Sequence, residues 1–582
     1  MSFRWSERWS DPFLICAVVF ALAYRIVLLL TLDAHAHYDE AIIGVMARHI
    51  LEHGERPLFF YGQNYGGGGA FEAYCAAALF ALFGESAFLL KLTPLLISLA
   101  AIPAAYFLAL RFHGRAAARL TVVLFVLAPP TLEWSIAARG GYIETVFLSA
   151  ALFLLAAPLI EGRAAPARRI VALGAVAGFA MYIFGLIAPT LVTIGILVAA
   201  RRVRLWRTAA FTAIGLVLGG APLVYDNIAH GFVNLRHLAT PAATAGAGEW
   251  VARFGARLGG LVVHDLPAFF TPWIDDFPQT IPVDAWIYAA AVVALCAVHA
   301  WTVLGASSSR ARRLVGPEAA PLLYVMVYAL LYAGSRFAGL TPRYLFGLYP
   351  VLAVLAAAGA ARLFASTRSA PRGAGAVLVA ALVAVGGVRA ALLPRAAELR
   401  EYTVVTRGDS TQKLLGFLRA RGIRTVFASP PVKWRLAWEG RGDVAAATLF
   451  FPQDDWFRYP AFESLALDRT VRDGEPAAFI THAEFAFETF QPSSAIPSLL
   501  ASQNLWESAL AAREIAFQRE RVDDYFVYHE FSKNLPALLA ARERVFNARE
   551  MLADGRTSEA RRLLNEARAL DPEDPEIERL LR

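Results

Sequence analysis

Three short stretches gather carboxylates, guanidinium groups and glycines in a chain otherwise poor in charge. The first, DAHAHYDEAIIGVMARHILEHG from Asp33, carries His35, His37 and Asp39 at alternate positions and the acidic pair Asp39 and Glu40 where a helix starts. Alternate residues of an extended segment share a face, so His35, His37 and Asp39 could hold a divalent cation. Solvated or core histidines are commoner than ligands, which leaves His35 and His37 weak metal candidates. A carboxylate at a helix start is also favoured simply by the helix dipole, and Glu40, about 100° round the helix from Asp39, faces elsewhere. The second stretch, TLEWSIAARGGYIETVF, sets Glu133, Arg139 and Glu144 around two glycines. Arg139 could grip a phosphate bidentately or pair with Glu144. Glu144 begins an apolar run, where a buried carboxylate is costly unless it is paired or lines an aqueous cavity. The third, TPRYLFGLYP, puts Arg343 directly before Tyr344. Gln63, Asn64 and Tyr65 precede Gly66 to Gly69, a run that allows close backbone approach to a sugar or phosphate, or serves only as a flexible linker. It is not a Walker loop, because no Lys-Ser or Lys-Thr follows. Glu72 either orients a substrate or caps the next helix. His264, Asp265, Trp273, Asp275 and Asp276 could bind sugar, although anchoring at a membrane interface explains Trp273 equally.

The elements that must position these residues are membrane spans. Of 582 residues 57% are hydrophobic and 18% charged, with a mean hydropathy of +0.48, which excludes a purely soluble globular protein. The net charge of +7 sits in short arginine-rich stretches between apolar blocks, not on one recognition surface, so nucleic acid is not a partner. Cys16, Cys75 and Cys296 lie in or beside apolar segments and supply neither a disulfide framework nor a metal motif. The block Pro12 to Leu32 is too long for a signal-peptide core and reads as a retained helix. Further blocks run to Leu393, and the stretches Arg111 to Arg119, Glu161 to Arg169, Arg201 to Arg207, Arg310 to Arg313 and Arg368 to Arg372 fall on the cytoplasmic side by the positive-inside rule. The reading is a polytopic α-helical membrane protein of about eleven transmembrane helices, N-terminus inside and C-terminus outside. Residues 33–84 then form the first outer loop. Within it Tyr38 to His53 and Ala70 to Phe83 read as helices lying in the interface plane. Arg343 falls outside, against the usual bias, which favours a phosphate role over lipid anchoring.

After Pro394 the character changes. Leu414 to Arg421 reads as a helix, and Thr425 to Ala428, Ala478 to Thr481 and Asp524 to Tyr528 as strands, giving an outer α/β domain over 394–534. Residues 535–582 are helical, and NAREMLADGRTSEARRLLNEARALDP resembles one tetratricopeptide repeat. One repeat cannot bury its own face, so this segment caps the preceding domain or docks a protein partner.

The runs HYDEAIIGVMARHILEHG and PLFFYGQNYGGGGAFEAY, with the later TPRYLFGLYPVLAVLAAAGA, resemble bacterial members of the GT-C glycosyltransferase superfamily, in the branch of protein O-mannosyltransferases and aminoarabinose transferases. In topology the resemblance covers about the first 390 residues, the GT-C-like catalytic domain 1–393, and VFASPPVKWRLAWEG is similar to the outer domain that some of these transferases carry. What the resemblance implies is an enzyme of the bacterial inner membrane that moves a hexosyl or pentosyl group, with inversion, from a polyprenyl-phosphate donor to a lipid, glycan or protein acceptor. By motif position its catalytic aspartate is Asp39, the general base, and Glu144 is a further acidic residue of the site. Charge on the departing phosphate calls for arginine, hence Arg139 and Arg343, with Tyr344, Glu72, Gln63 and Tyr65 as substrate-binding candidates. No cofactor is certain, and a divalent cation is an open alternative. The rival reading is an envelope polysaccharide or lipid transporter or flippase. It would call for internal repeats or charges near mid-bilayer, and the membrane part has no convincing repeat.

Overall fold

The computed structural model describes residues 11–31, 36, 38–61, 68–201, 205–232, 234, 247–271, 280–305, 316–335, 338–339, 341–393, 399–401, 404–406, 409–448, 459–483, 503–553 and 555–582. They form two compact units: Met1–Ala34, Ala47–Phe60 and Asn64–Ala396 in one, and His35–Met46, Tyr61–Gln63 and Ala397–Arg582 in the other.

The first unit is built from helices α1 (Pro12–Thr31), the second half of α2 (Tyr38–Glu52), α3 (Phe71–Phe83), α4 (Ala87–His113), α5 (Arg115–Leu127), α6 (Pro129–Trp134), α7 (Tyr142–Ile160), α8 (Ala167–Ile183), α9 (Ala188–Arg201), α10 (Leu205–Gly219), α11 (Ala221–Ala229), α12 (Ala247–Gly260), α13 (Leu266–Phe269), α14 (Val283–Gly305), α15 (Ala320–Gly334), α16 (Tyr349–Phe364) and α17 (Ser369–Leu392). Among the described residues, six helical stretches are long and apolar enough to cross a bilayer: α1, α4, α7, α14, Pro317–Gly334 and α17. The chain is therefore a polytopic helical membrane protein. Helices α10 and α11 together make a seventh stretch, bent by 73°, and α3, Gly185–Arg201 and α16 are shorter apolar helices. Large apolar side chains on α1 and α10, among them Val19, Phe20, Leu30, Val217 and Leu218, point outward, as lipid-facing residues must. Helix α7 is instead buried along most of its length, in a core shared with α4, α5 and α16.

Small residues set the closest helix approach. Gly174 and Gly178 of α8 lie against Gly215 and Gly219 of α10, and a Cβ on any of them would run into the partner's backbone. Arginines close one end of α7. Arg111 forks onto Glu161 (2.6 and 2.5 Å), Arg163 joins the same carboxylate, Arg169 donates to the Leu154 and Leu155 carbonyls (2.8 and 3.0 Å), and Arg201 donates to the Ile160 carbonyl (2.9 Å). The Leu154 carbonyl lacks an intrahelical donor because Pro158, four residues on, has no N–H, and the Ile160 carbonyl is one that the helix C-terminus leaves unpartnered within the helix. Ahead of α1, buried Asp11 accepts from Arg119 (3.2 and 3.0 Å) and from the Tyr106 hydroxyl (2.7 Å).

The second unit holds a two-stranded ribbon, β1 (Leu399–Glu401) with β2 (Val404–Thr406), and a five-stranded sheet of β3 (Thr425–Ala428), β4 (Ala445–Ala447), β5 (Ala477–His482), β6 (Gln518–Val522) and β7 (Tyr525–His529) in the order β4-β3-β5-β7-β6. The first three are parallel, and β7 runs antiparallel to both β5 and β6. Period-two side chains divide between two cores, Val426, Ile480 and Val527 on one face and Phe427, Phe479 and Tyr528 on the other. Helices α18 (Ser410–Ala420), α19 (Pro430–Glu439), α20 (Pro460–Leu467) and α21 (Gln503–Ala511) accompany the sheet. The final helices α22 (Leu535–Ala553), α23 (Thr557–Leu570) and α24 (Pro575–Leu581) close over their own small core of Val545, Ala560, Leu564 and Ile577.

Candidate active site

The glycine pair before α7 builds the first part of the site. Gly140 and Gly141 both have positive φ (63° and 88°), a conformation that side-chain-bearing residues rarely adopt, and a Cβ on Gly141 would lie 2.9 Å from that of Phe184. Glu72, in the first turn of α3, locks this turn by accepting the Gly140 N–H at 2.7 Å. Glu144 follows in the first turn of α7, buried, with its carboxyl against that of Glu72.

Beside the carboxyls lies an aromatic platform. Trp134 meets Tyr142 edge-on at 4.7 Å, and Phe346 lies 4.9 Å from Trp134 and 6.0 Å from Tyr142. Arg139 stacks over Trp134 at 4.8 Å, while Arg343 stacks over Tyr142 at 5.7 Å and over its neighbour Tyr344 at 5.8 Å. Such stacking holds a guanidinium plane in place against the ring face. Five residues singled out from sequence, Glu72, Arg139, Glu144, Arg343 and Tyr344, thus meet around the start of α7.

Residues that the sequence reading passed over hold this arrangement. Tyr324, Tyr328 and Tyr332 recur every four residues on one face of α15; their hydroxyls donate to the Gly347 carbonyl (2.6 Å), the Tyr344 carbonyl and Asp265 Oδ2 (2.8 Å). The first two bonds pin the segment that carries Arg343, and Thr341 caps its short turn by accepting the Arg343 N–H at 3.2 Å. Asp265 is held by Tyr332 and by His264 Nδ1 at 3.0 Å, which places this pair in the scaffold around Tyr332. Arg25 of α1, buried, donates to Ser135 Oγ (2.8 Å) and to the Thr131 carbonyl (3.5 Å), tying α1 to the segment that presents Trp134. An arginine alone in a long apolar helix was the available signal. Glu133, like Arg139, is partly exposed. Trp273, Asp275 and Asp276 lie outside the described residues, as do His35, His37, Gln63, Asn64, Tyr65, Gly66 and Gly67.

Asp39 and Glu40 occupy the first turn of α2, in the part of that helix belonging to the second unit. Asp39 is partly exposed and Glu40 is buried, in line with their different directions round the helix. Gly44 of the same helix lies so close to the Trp438 ring of α19 that any Cβ would overlap it. Nearby in sequence, Tyr61 packs on Tyr459 (4.6 Å) and Trp434 (6.4 Å). Lys433, wholly buried, pairs with Glu463, which also accepts the Thr448 N–H at 3.1 Å, and burial pushes the Glu463 carboxyl above its usual range despite that lysine. Ala41 to His49 of α2 are all buried, Arg48 being held bidentately by Glu85 at 3.0 and 2.6 Å, while Glu52 and His53 are exposed. Pairing lets a guanidinium leave water, so the helix needs no solvated face at that position.

Neither a protein-family model nor a curated protein matches the chain in sequence. Solved structures do match in fold. The chain is similar to ArnT from Cupriavidus metallidurans in the apo state, with a TM-score of 0.57 and 14% identity over 91% of this chain and 99% of that one. This is a GT-C fold. The same ArnT bound to undecaprenyl phosphate gives a TM-score of 0.56 at 16% identity, covering 90% and 99% of the two chains. The oligosaccharyltransferase of Archaeoglobus fulgidus, in complex with Zn and sulfate, gives 0.50 at 14% identity, covering 88% and 72%. The GT-C fold therefore extends over nearly the whole length of ArnT.

Proposed function

We propose that this chain is a glycosyltransferase that moves a sugar from a polyprenyl-phosphate donor to a lipid, glycan or protein acceptor on the extracytoplasmic face of a bacterial inner membrane. The observation that carries the reading is the pair of guanidinium groups, Arg139 and Arg343, stacked on one aromatic platform beside the buried Glu72 and Glu144 carboxyls. Stacked arginines suit a phosphate that gains charge as it leaves. The fold shared with an ArnT structure bound to undecaprenyl phosphate supports the same donor class. In this reading Asp39 accepts the proton of the acceptor hydroxyl as its oxygen bonds to C1 of the sugar, with inversion, while the C1–O bond to phosphate breaks and the arginines take up the developing charge. The phosphate is a good leaving group without protonation, so one base suffices.

Orientation follows the arginines that close the far end of α7: that end is cytoplasmic, and the Arg139 end faces outward. About eleven crossings, an outer α/β domain and a tetratricopeptide-like tail that caps the preceding domain or docks a protein partner complete the proposal. The test is transfer by purified protein in lipid, with radiolabelled polyprenyl-phosphate sugars and envelope acceptors. Wild type is expected to transfer label from one donor, and Asp39→Asn to lose at least about 100-fold in kcat with donor binding retained. Full activity in folded Asp39→Asn would refute the base assignment, and absence of transfer from every polyprenyl donor would refute the donor class.

A further inference from the structure

The C-terminal end of α2 carries a cluster that glycosyl transfer does not use. His49 and His53 are one helical turn apart on the same face, with ring centroids at 4.9 Å. Gly54, at φ 67°, then turns the chain back, so that the Glu55 N–H reaches the His49 carbonyl at 3.3 Å alongside the His53 N–H at 3.0 Å. This brings a Glu55 carboxylate oxygen to 3.6 Å from His49 Nδ1. One ligand atom from each of the three residues lies within 4.8 Å of the other two.

We propose that His49, His53 and Glu55 form a binding site for a divalent transition-metal ion of the zinc type. Two imidazole nitrogens and one carboxylate are a donor set that zinc takes with three protein ligands and a water in the fourth place. Ligand atoms on a tetrahedral zinc stand about 3.4 Å apart, so the cluster closes by small side-chain rotations. Exposed His53 and partly exposed Glu55 supply the entry path. The site lies ten residues along α2 from Asp39, about 15 Å of helix. At that distance a metal does not reach the atoms that react at Asp39. Its role is a staple that fixes the end of α2 to the turn after it. The site uses neither His35 nor His37 and does not rest on the transferase reading.

The experiment uses the full-length protein in lipid nanodiscs, stripped with chelator and reloaded with zinc or cobalt. Wild type is expected to retain about one metal ion per chain, to give the visible absorption of tetrahedral cobalt, and to unfold at a higher temperature with zinc than without. His53→Ala, which alters an exposed ligand and leaves the helix buried as before, should weaken binding at least about 100-fold and abolish the zinc-dependent rise. Glu55→Gln should weaken binding with the fold unchanged, as a second check. No retained metal in wild type, or equal affinity in His53→Ala, would overturn the site.

Discussion

The two ends of α7 both gather arginine and glutamate, yet they do so in opposite ways. At the Ile160 end Arg111, Arg163, Arg169 and Arg201 each meet a carboxylate or a main-chain carbonyl of α7, and Glu161 serves two arginines at once. At the Tyr142 end, Arg139 and Arg343 lie on aromatic faces while Glu144 turns toward Glu72. Guanidinium groups are tied to carboxylate and main-chain carbonyls at one end and laid over aromatic rings at the other. Residue type alone does not separate a structural arginine from a functional one; the partner does.

The comparison is broken most directly at the outer arginines. Arg343→Ala and Arg139→Ala should each raise KM for the donor about 10- to 100-fold, the worth of one lost charge-assisted bond, with unfolding temperature little changed. Arg111→Ala should do the reverse, lowering the unfolding temperature while KM per folded molecule stays within about twofold. Equal effects at both ends would erase the distinction. The carboxylates sharpen it: Glu144→Gln should cost about 100-fold in kcat with the protein folded, whereas Glu161→Gln should cost stability alone. Both are read from transfer kinetics and thermal unfolding of the same preparations.

Asp11 gives a smaller effect with a pH signature. Its arginine and tyrosine donors hold its carboxyl down at about 2, below the ordinary value, so its stabilising contribution is complete above about pH 4 and is lost only as pH falls through about 2. Asp11→Asn should therefore be less stable than wild type at pH 7 and at pH 5 alike, and the gap should narrow only under strong acid. Tyr328→Phe is the mildest break: it strands the Tyr344 carbonyl, costs about 1 kcal/mol of stability, and should raise donor KM about threefold by loosening Arg343.

Much of the candidate site was legible because charge is conspicuous in an apolar run: Arg139, Glu144 and Arg343 stand at the edges of membrane helices, and Gly140 and Gly141 announce a turn. Strands β3, β5 and β7 were readable as short apolar runs. Strand β4, three alanines, carries no propensity signal, and β6 is a polar edge strand whose charges mask it. The supports of the site were harder to see. Tyr324, Tyr328 and Tyr332 read as apolar bulk, since nothing in their spacing says that carbonyls await their hydroxyls. Arg25 was absorbed into the hydropathy of α1. In helix α2, Arg48 finds its partner 37 residues later in Glu85. Long-range pairing of that kind leaves no local pattern.

The glycine contact between α8 and α10 also constrains how the protein is made. In lipid, apolar side chains gain little from meeting one another, so these two helices hold together by main-chain contact that only glycine permits. Helix α9 lies between them in sequence, so α8 must wait in the bilayer until α9 and α10 have been synthesised and inserted. The bundle acquires its closest packing only after that delay, and during it the glycine face of α8 is open to whichever other helix the membrane offers.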